Sequence, residues 1–146
     1  MTESRMNILI VDDHESTREF LGDFIKAEFP DAEVSGCATL GAALILMSFA
    51  DVILCDGHFP APGYPQNIAE EPWRTVLSAA HGRPWALITG DIELAARARR
   101  EGLIVFEKPF KFDAVEDFLR RAVRQLSDRK MVKESLRVLA EENSAI

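Results

Sequence analysis

Four short apolar runs along the chain each close on a polar residue. Ile8-Leu9-Ile10-Val11 runs into Asp12-Asp13, Val52-Ile53-Leu54-Cys55 into Asp56, Trp85-Ala86-Leu87-Ile88 into Thr89, and Leu103-Ile104-Val105-Phe106 into Glu107-Lys108. Uninterrupted runs of this length suit strands buried on both faces. Helical spacing of apolar residues separates them, and the alternation predicts βαβ units and a parallel sheet covered on both sides. Parallel strands deliver their last residues to one carboxyl edge, where open α/β sheets place their crevice. Three carboxylates, a hydroxyl and an ammonium are thereby expected to converge.

The intervening segments supply the helices. Phe20, Leu21, Phe24, Ile25 and Phe29 recur at helical spacing, and Pro30 closes that segment. A weaker strand over Glu33–Cys37 suits a sheet edge, and Thr39 is placed to cap a helix running to about Phe49. Pro60, Pro62, Gly63 and Pro65 enforce an extended loop after Asp56. A helix then spans about Asn67 to Ala80, anchored by Ile68, Val76, Leu77 and Ala80, with Pro72 at a first turn or a break. Asp91 caps a helix that Gly102 ends. Beyond Pro109, Val115, Phe118, Leu119, Ala122, Val123 and Leu126 mark a last core helix. Residues 127–146 form a helical tail, which Ser127 or Asp128 is expected to cap anew and on which Val132, Leu136 and Leu139 share a face. The step from Leu126 to Val132 interrupts a continuous heptad.

A length of 146 residues fits one domain, read as 1–126, plus the tail over 127–146. The net charge of −7 argues against direct binding to nucleic acid, which relies on clustered Lys and Arg; Arg97, Arg99 and Arg100 form only a short basic group on one solvated helix. Cys37 and Cys55 read as small core residues of a reducing compartment, offering neither a disulfide framework nor CxxC spacing. The first residues lack the apolar core of a secretory signal, and the apolar stretch Leu40–Cys55 is interrupted by Ser48 and Asp51 and falls short of a membrane span. A cytoplasmic protein without membrane contact is expected.

The chemistry follows from the charges. Two carboxylates about 5 Å apart repel by roughly 3 kcal/mol at an effective dielectric near 20. Three cannot share a notch unless a cation neutralises them or one binds a proton. Oxygen-only ligands select a hard ion such as Mg²⁺, and Lys108 adds a mobile positive charge suited to a phosphoryl group. Singly, each residue has an ordinary reading: Asp12-Asp13 as a helix cap, Asp56 as a turn former, Thr89 as a strand-end hydroxyl, Lys108-Pro109 as a loop dipeptide. Their joint occurrence at strand ends favours function. His14, His58 and His81 show no ligand spacing and are read as non-catalytic.

Asp12-Asp13, Asp56, Thr89 and Lys108-Pro109-Phe110, in this order and each after an apolar run, resemble the receiver domain of two-component response regulators over nearly all of residues 6–126. The resemblance implies a flavodoxin-like, doubly wound, five-stranded parallel sheet of strand order 2-1-3-4-5, here with a C-terminal helical extension. It implies that Asp56 accepts a phosphoryl group from a sensor histidine kinase or histidine phosphotransfer protein. Asp13, Asp56 and the backbone carbonyl of His58 would ligate Mg²⁺, with Asp12 acting directly or through water, and Thr89 and Lys108 would contact the phosphoryl oxygens. Signalling rather than enzymatic turnover is implied, with output through a downstream protein partner, a homodimer or a phosphorelay, because the tail is too short for a DNA-binding output domain. Two departures stand out. The place three before the lysine, commonly aromatic in the family, holds Val105 with Phe106 beside it, and the loop after Asp56 lacks the usual acidic-glycine step. The competing readings are a Mg²⁺-dependent phosphohydrolase using an aspartyl phosphate, against which His14 stands where a second aspartate is needed, and a degenerate receiver acting as an adaptor.

Overall fold

Alternate residues of a strand face opposite sides of a sheet, and this chain fills both sides with apolar groups. In the computed structural model, which describes residues 6–144, β1 (Asn7–Val11) sends Leu9 and Val11 to one face and Ile8 and Ile10 to the other. β3 (Val52–Asp56) and β4 (Trp85–Thr89) divide the same way, with Ile53, Cys55 and Leu87 on the first face and Leu54, Ala86 and Ile88 on the second. With β2 (Glu33–Cys37) and β5 (Val105–Glu107) they form one parallel sheet in the order β2-β1-β3-β4-β5. The expected doubly wound architecture is present, with β2 at an edge.

The first face is covered by α2 (Leu40–Leu46), α4 (Pro72–Ala79) and α5 (Ile92–Arg100), which contribute Leu40, Trp73, Val76 and Leu94 to its core. The second is covered by α1 (Glu15–Glu28) and α6 (Phe112–Ser144) through Leu21, Ile25, Val115, Phe118, Leu119 and Ala122. A buried Leu or Ile contributes about 1.5–3 kcal/mol, so these two layers hold the sheet. Both cysteines lie in the first layer; burial pushes the Cys37 thiol up to about 11 and the Cys55 thiol well above its usual range. Inert core thiols are the result.

Several element boundaries differ from the sequence expectation for local reasons. The helix expected over Asn67–Ala80 is two, α3 (Gln66–Ala69) and α4, because Pro72 cannot donate to a preceding turn and instead opens α4. The helix expected to reach Phe49 ends as α2 at Leu46, with Met47–Phe49 as a 3₁₀ turn, and its Thr39 cap accepts from the Ala42 N–H at 3.3 Å. β5 begins at Val105 rather than Leu103, since the Leu103 N–H bonds the Ala98 carbonyl at 3.1 Å, after Gly102 has turned the chain at φ 85°. No new helix starts at Ser127 or Asp128: α6 runs unbroken for 33 residues. Its sequence holds neither Gly nor Pro, and a break would strand backbone groups for a propensity cost of only tenths of a kcal/mol at Ser or Asp. Among the described residues no helix is long and apolar enough to cross a membrane.

Candidate functional site

The strand register explains the convergence. Val11 pairs with Cys55, so the next residues, Asp12 and Asp56, emerge side by side from β1 and β3. Asp56 pairs with Ile88 and Thr89 with Glu107, so Thr89 and Lys108 step off β4 and β5 at the same edge. Asp12 and Thr89 are fully buried and Asp56 is 4% exposed, whereas Asp13 lies open to solvent. Carboxylate oxygens of Asp12, Asp13 and Asp56 and a ring nitrogen of His14 all lie within 4.8 Å of one another.

Lys108 answers this negative charge. Its Nζ donates to Asp12 Oδ2 at 2.8 Å and stands 3.6 Å from Asp56 Oδ1. The Gly57 backbone N–H donates to Asp56 Oδ1 at 2.7 Å, and the His58 N–H also bonds this carboxylate. The balance still favours protonation: burial first, and then the Asp12 charge, push the Asp56 carboxyl up to about 6 against the pull of Lys108 and the two N–H groups. The site is charge-frustrated without a cation. Its oxygen donors and close spacing fit a hard divalent ion such as Mg²⁺.

Thr89 and the loop after Asp56 meet under α5. The Thr89 Oγ1 accepts from the Asp91 N–H at 3.0 Å, and Asp91 in turn caps α5 by accepting from the Leu94 N–H at 3.0 Å, as its sequence position suggested. Gly57 packs so closely beneath this turn that a Cβ there would lie 2.3 Å from Leu94 Cδ2 and 3.3 Å from Thr89 Oγ1. Gly57→Ala is therefore expected to destabilise the protein by about 1–3 kcal/mol through overpacking, measured by urea unfolding. An unchanged midpoint would contradict this packing.

Residues outside the expected set also touch the site. His14, read from sequence as a bystander, turns its ring back over the acidic pair, with Nδ1 3.2 Å from Asp12 Oδ1 and 3.1 Å from Asp13 Oδ1. Its backbone N–H donates to Asp12 Oδ1 at 2.8 Å, so it helps fix the carboxylate as well. Arg18 donates to the Asp12 carbonyl at 2.7 Å from one turn into α1. Adjacency to Asp12-Asp13 was the only sequence signal for His14, and none existed for Arg18. The His58 side chain is directed to Asp91 at 3.0 Å. Phe106 lies on the opposite sheet face from Val105, edge-on to Phe118 at 5.7 Å, so β5 sends its aromatic ring into the α1/α6 layer. Two arginines of the basic group on α5 form surface ion pairs within the chain, Arg97 with Glu71 at 2.9 Å and Arg99 with Glu107 at 2.7 Å.

The fold has structural counterparts. The signal receiver domain of an HD domain-containing protein from Pseudomonas fluorescens Pf-5 superposes with a TM-score of 0.64 at 24% identity, covering 86% of this chain and 99% of its own. The fold is that of a receiver domain. A response regulator receiver domain protein from Clostridium thermocellum matches at TM-score 0.64 and 17% identity, over 84% of this chain and 97% of that one. The receiver domain of the Francisella response regulator 1452 matches at 0.61 and 19%, over 84% and 99%. No family model and no curated protein matches the sequence. At these identities the likeness establishes the receiver fold, and the acidic cluster at its carboxyl edge fits Mg²⁺.

Proposed function

We propose that the chain is a response-regulator receiver that takes a phosphoryl group onto Asp56. The observation carrying this reading is the meeting of Asp12, Asp13 and Asp56 with the Lys108 ammonium at one edge of a receiver-type sheet. Above pH 6 Asp56 is mainly ionised and can act as the nucleophile. A carboxylate oxygen attacks the phosphorus of a phosphohistidine on a sensor histidine kinase or histidine phosphotransfer protein; an O–P bond forms and the P–N bond breaks. The imidazole nitrogen leaves with the bonding pair and is protonated from solvent.

Asp12, Asp13, Asp56 and the His58 backbone carbonyl would hold Mg²⁺. When bound, the ion supplies neutralisation of both the carboxylates and the phosphoryl oxygens. Lys108 would turn from Asp12 towards the new phosphate, and Thr89 would bring its hydroxyl to it. Because that hydroxyl now accepts from the Asp91 N–H, its movement would release the first turn of α5. The signal would then leave through the α5, β5 and α6 surface to a protein partner, in the cytoplasm and without direct contact to nucleic acid. Residues 1–126 form the receiver in this reading, and 127–146 its helical extension. Conformational bias requires that the phosphoryl contacts be better in the active arrangement than in the resting one.

Acetyl phosphate with Mg²⁺ tests the reaction class. The expected product carries one phosphoryl group per chain, is cleaved by hydroxylamine as acyl phosphates are, and forms neither in EDTA nor with sustained turnover of phosphomonoesters. Multiple turnover would instead indicate the phosphohydrolase, and labelling in EDTA would contradict the metal set.

A further inference from the structure

Every described residue of α6 beyond Leu126 is exposed, so its last five turns run about 27 Å with their sides open to solvent, Arg129 in the first of them reaching back to the receiver body. Val132, Leu136 and Leu139 are 58%, 60% and 54% exposed there. With Asn143 they follow the alternating four- and three-residue steps of a heptad seam, Leu136 and Asn143 at a positions and Val132 and Leu139 at d. At 3.6 residues per turn this seam lies about a quarter turn from the face that α6 buries in its own core, so the receiver body does not stand in front of it. Arg137 pairs with Glu134 and Glu141 on the far side of the helix, leaving the seam free.

We infer that this stripe is a homodimerisation surface, on which the distal part of α6 pairs in parallel with the same segment of a second copy. Charge complementarity points to a second copy. Residues 127–144 carry four basic and four acidic residues, so two segments approach without net repulsion although the whole chain is at −7. In the parallel register Asp128 at a g position faces Lys133 at the partner helix's following e position, the arrangement that forms interhelical ion pairs. Asn143 meets Asn143 across the seam and can exchange amide hydrogen bonds, whereas the antiparallel register sets it against Val132 and leaves its amide unpaired. Arg129, the a position that would repel its counterpart, is drawn aside to the Gly82 carbonyl at 3.2 Å, so pairing begins just beyond it. So short a coil is affordable because Val115, Phe118, Leu119 and Ala122 already anchor the first turns of α6 in the core, meeting the nucleation cost.

Sedimentation equilibrium of the full chain tests the inference. A concentration-dependent monomer–dimer equilibrium is expected, abolished in Leu136→Lys/Leu139→Lys across the range where the parent chain dimerises. Both positions are exposed, so the variant's thermal unfolding and near-UV spectrum should match those of the parent at concentrations where the parent is monomeric. Leu139→Cys should form an interchain disulfide under mild oxidation, with no background from the buried Cys37 and Cys55. The surface does not depend on phosphoacceptance, so Asp56→Asn should dimerise like the parent. A chain that stays monomeric to millimolar concentration, leaving the stripe to some other protein, overturns the proposal, as does a dimer that survives the paired lysines. A dimer that Leu139→Cys fails to cross-link overturns the parallel arrangement.

Discussion

Asp56→Asn is expected to stabilise the metal-free protein at pH 8 by about 2–3 kcal/mol, an advantage that disappears as the pH falls towards 4. The Asp56 carboxyl titrates near 3.8 in an unfolded chain but is pushed up to about 6 in the fold, by burial first and then by the Asp12 charge. Between these values the folded protein holds a proton that the unfolded chain has released, so stability falls as the pH rises through this window. Above it the whole penalty of the buried charge is present, and the separation corresponds to about 3 kcal/mol. Asparagine removes the charge, keeps the shape and still accepts from the Gly57 N–H. Denaturant unfolding from pH 4 to 8 in EDTA reads the effect. Saturating Mg²⁺ should raise the stability of the wild type at pH 8 much more than that of the variant. A variant destabilised equally at both ends of the range would mean that Asp56 is not under electrostatic strain.

Lys108→Met is expected to act in the opposite direction, costing about 2–4 kcal/mol at pH 8 without metal. Its ammonium stands 2.8 Å from Asp12 Oδ2 and 3.6 Å from Asp56 Oδ1, and the Asp12 side chain is wholly buried. Methionine keeps much of the aliphatic packing but leaves the two carboxylates facing each other. Because the loss is one of charge, Mg²⁺ should restore part of it. In an Asp56→Asn background the cost should shrink, since one of the two carboxylates is then neutral, and a double-mutant cycle measures that coupling. Full additivity, with no recovery in Mg²⁺, would place the contribution of Lys108 in packing instead.

The fold was legible because buried parallel strands leave an unmistakable pattern. Each apolar run could be located without knowing its neighbours, and the polar residue closing it marked the sheet edge. Asp12, Asp13, Asp56 and Lys108 meet as that pattern required, through register alone. Pro72 announced a break whose form the sequence left open, and the chain resolved it as a new helix start. At Ser127 local capping preference lost to helix continuation, because no residue there forbids the next turn. Side-chain direction at the site was less legible. His14 was visible only as a neighbour of two aspartates, and the return of its ring over them depends on how β1 hands over to α1. Likewise, Phe106 could be placed on β5, but the half-turn sending it away from Val105 became meaningful only once both faces of the sheet were assigned.

The claim on which the functional account rests is that Asp56 itself takes the phosphoryl group. Tandem mass spectrometry of the chain after acetyl phosphate and Mg²⁺ tests it most directly, comparing wild type with Asp56→Asn. The account predicts one phosphoryl adduct in the wild type, mapped to the peptide containing Asp56, and none in the variant. An adduct of equal yield in Asp56→Asn, or one mapped to another residue of the wild type, would contradict it.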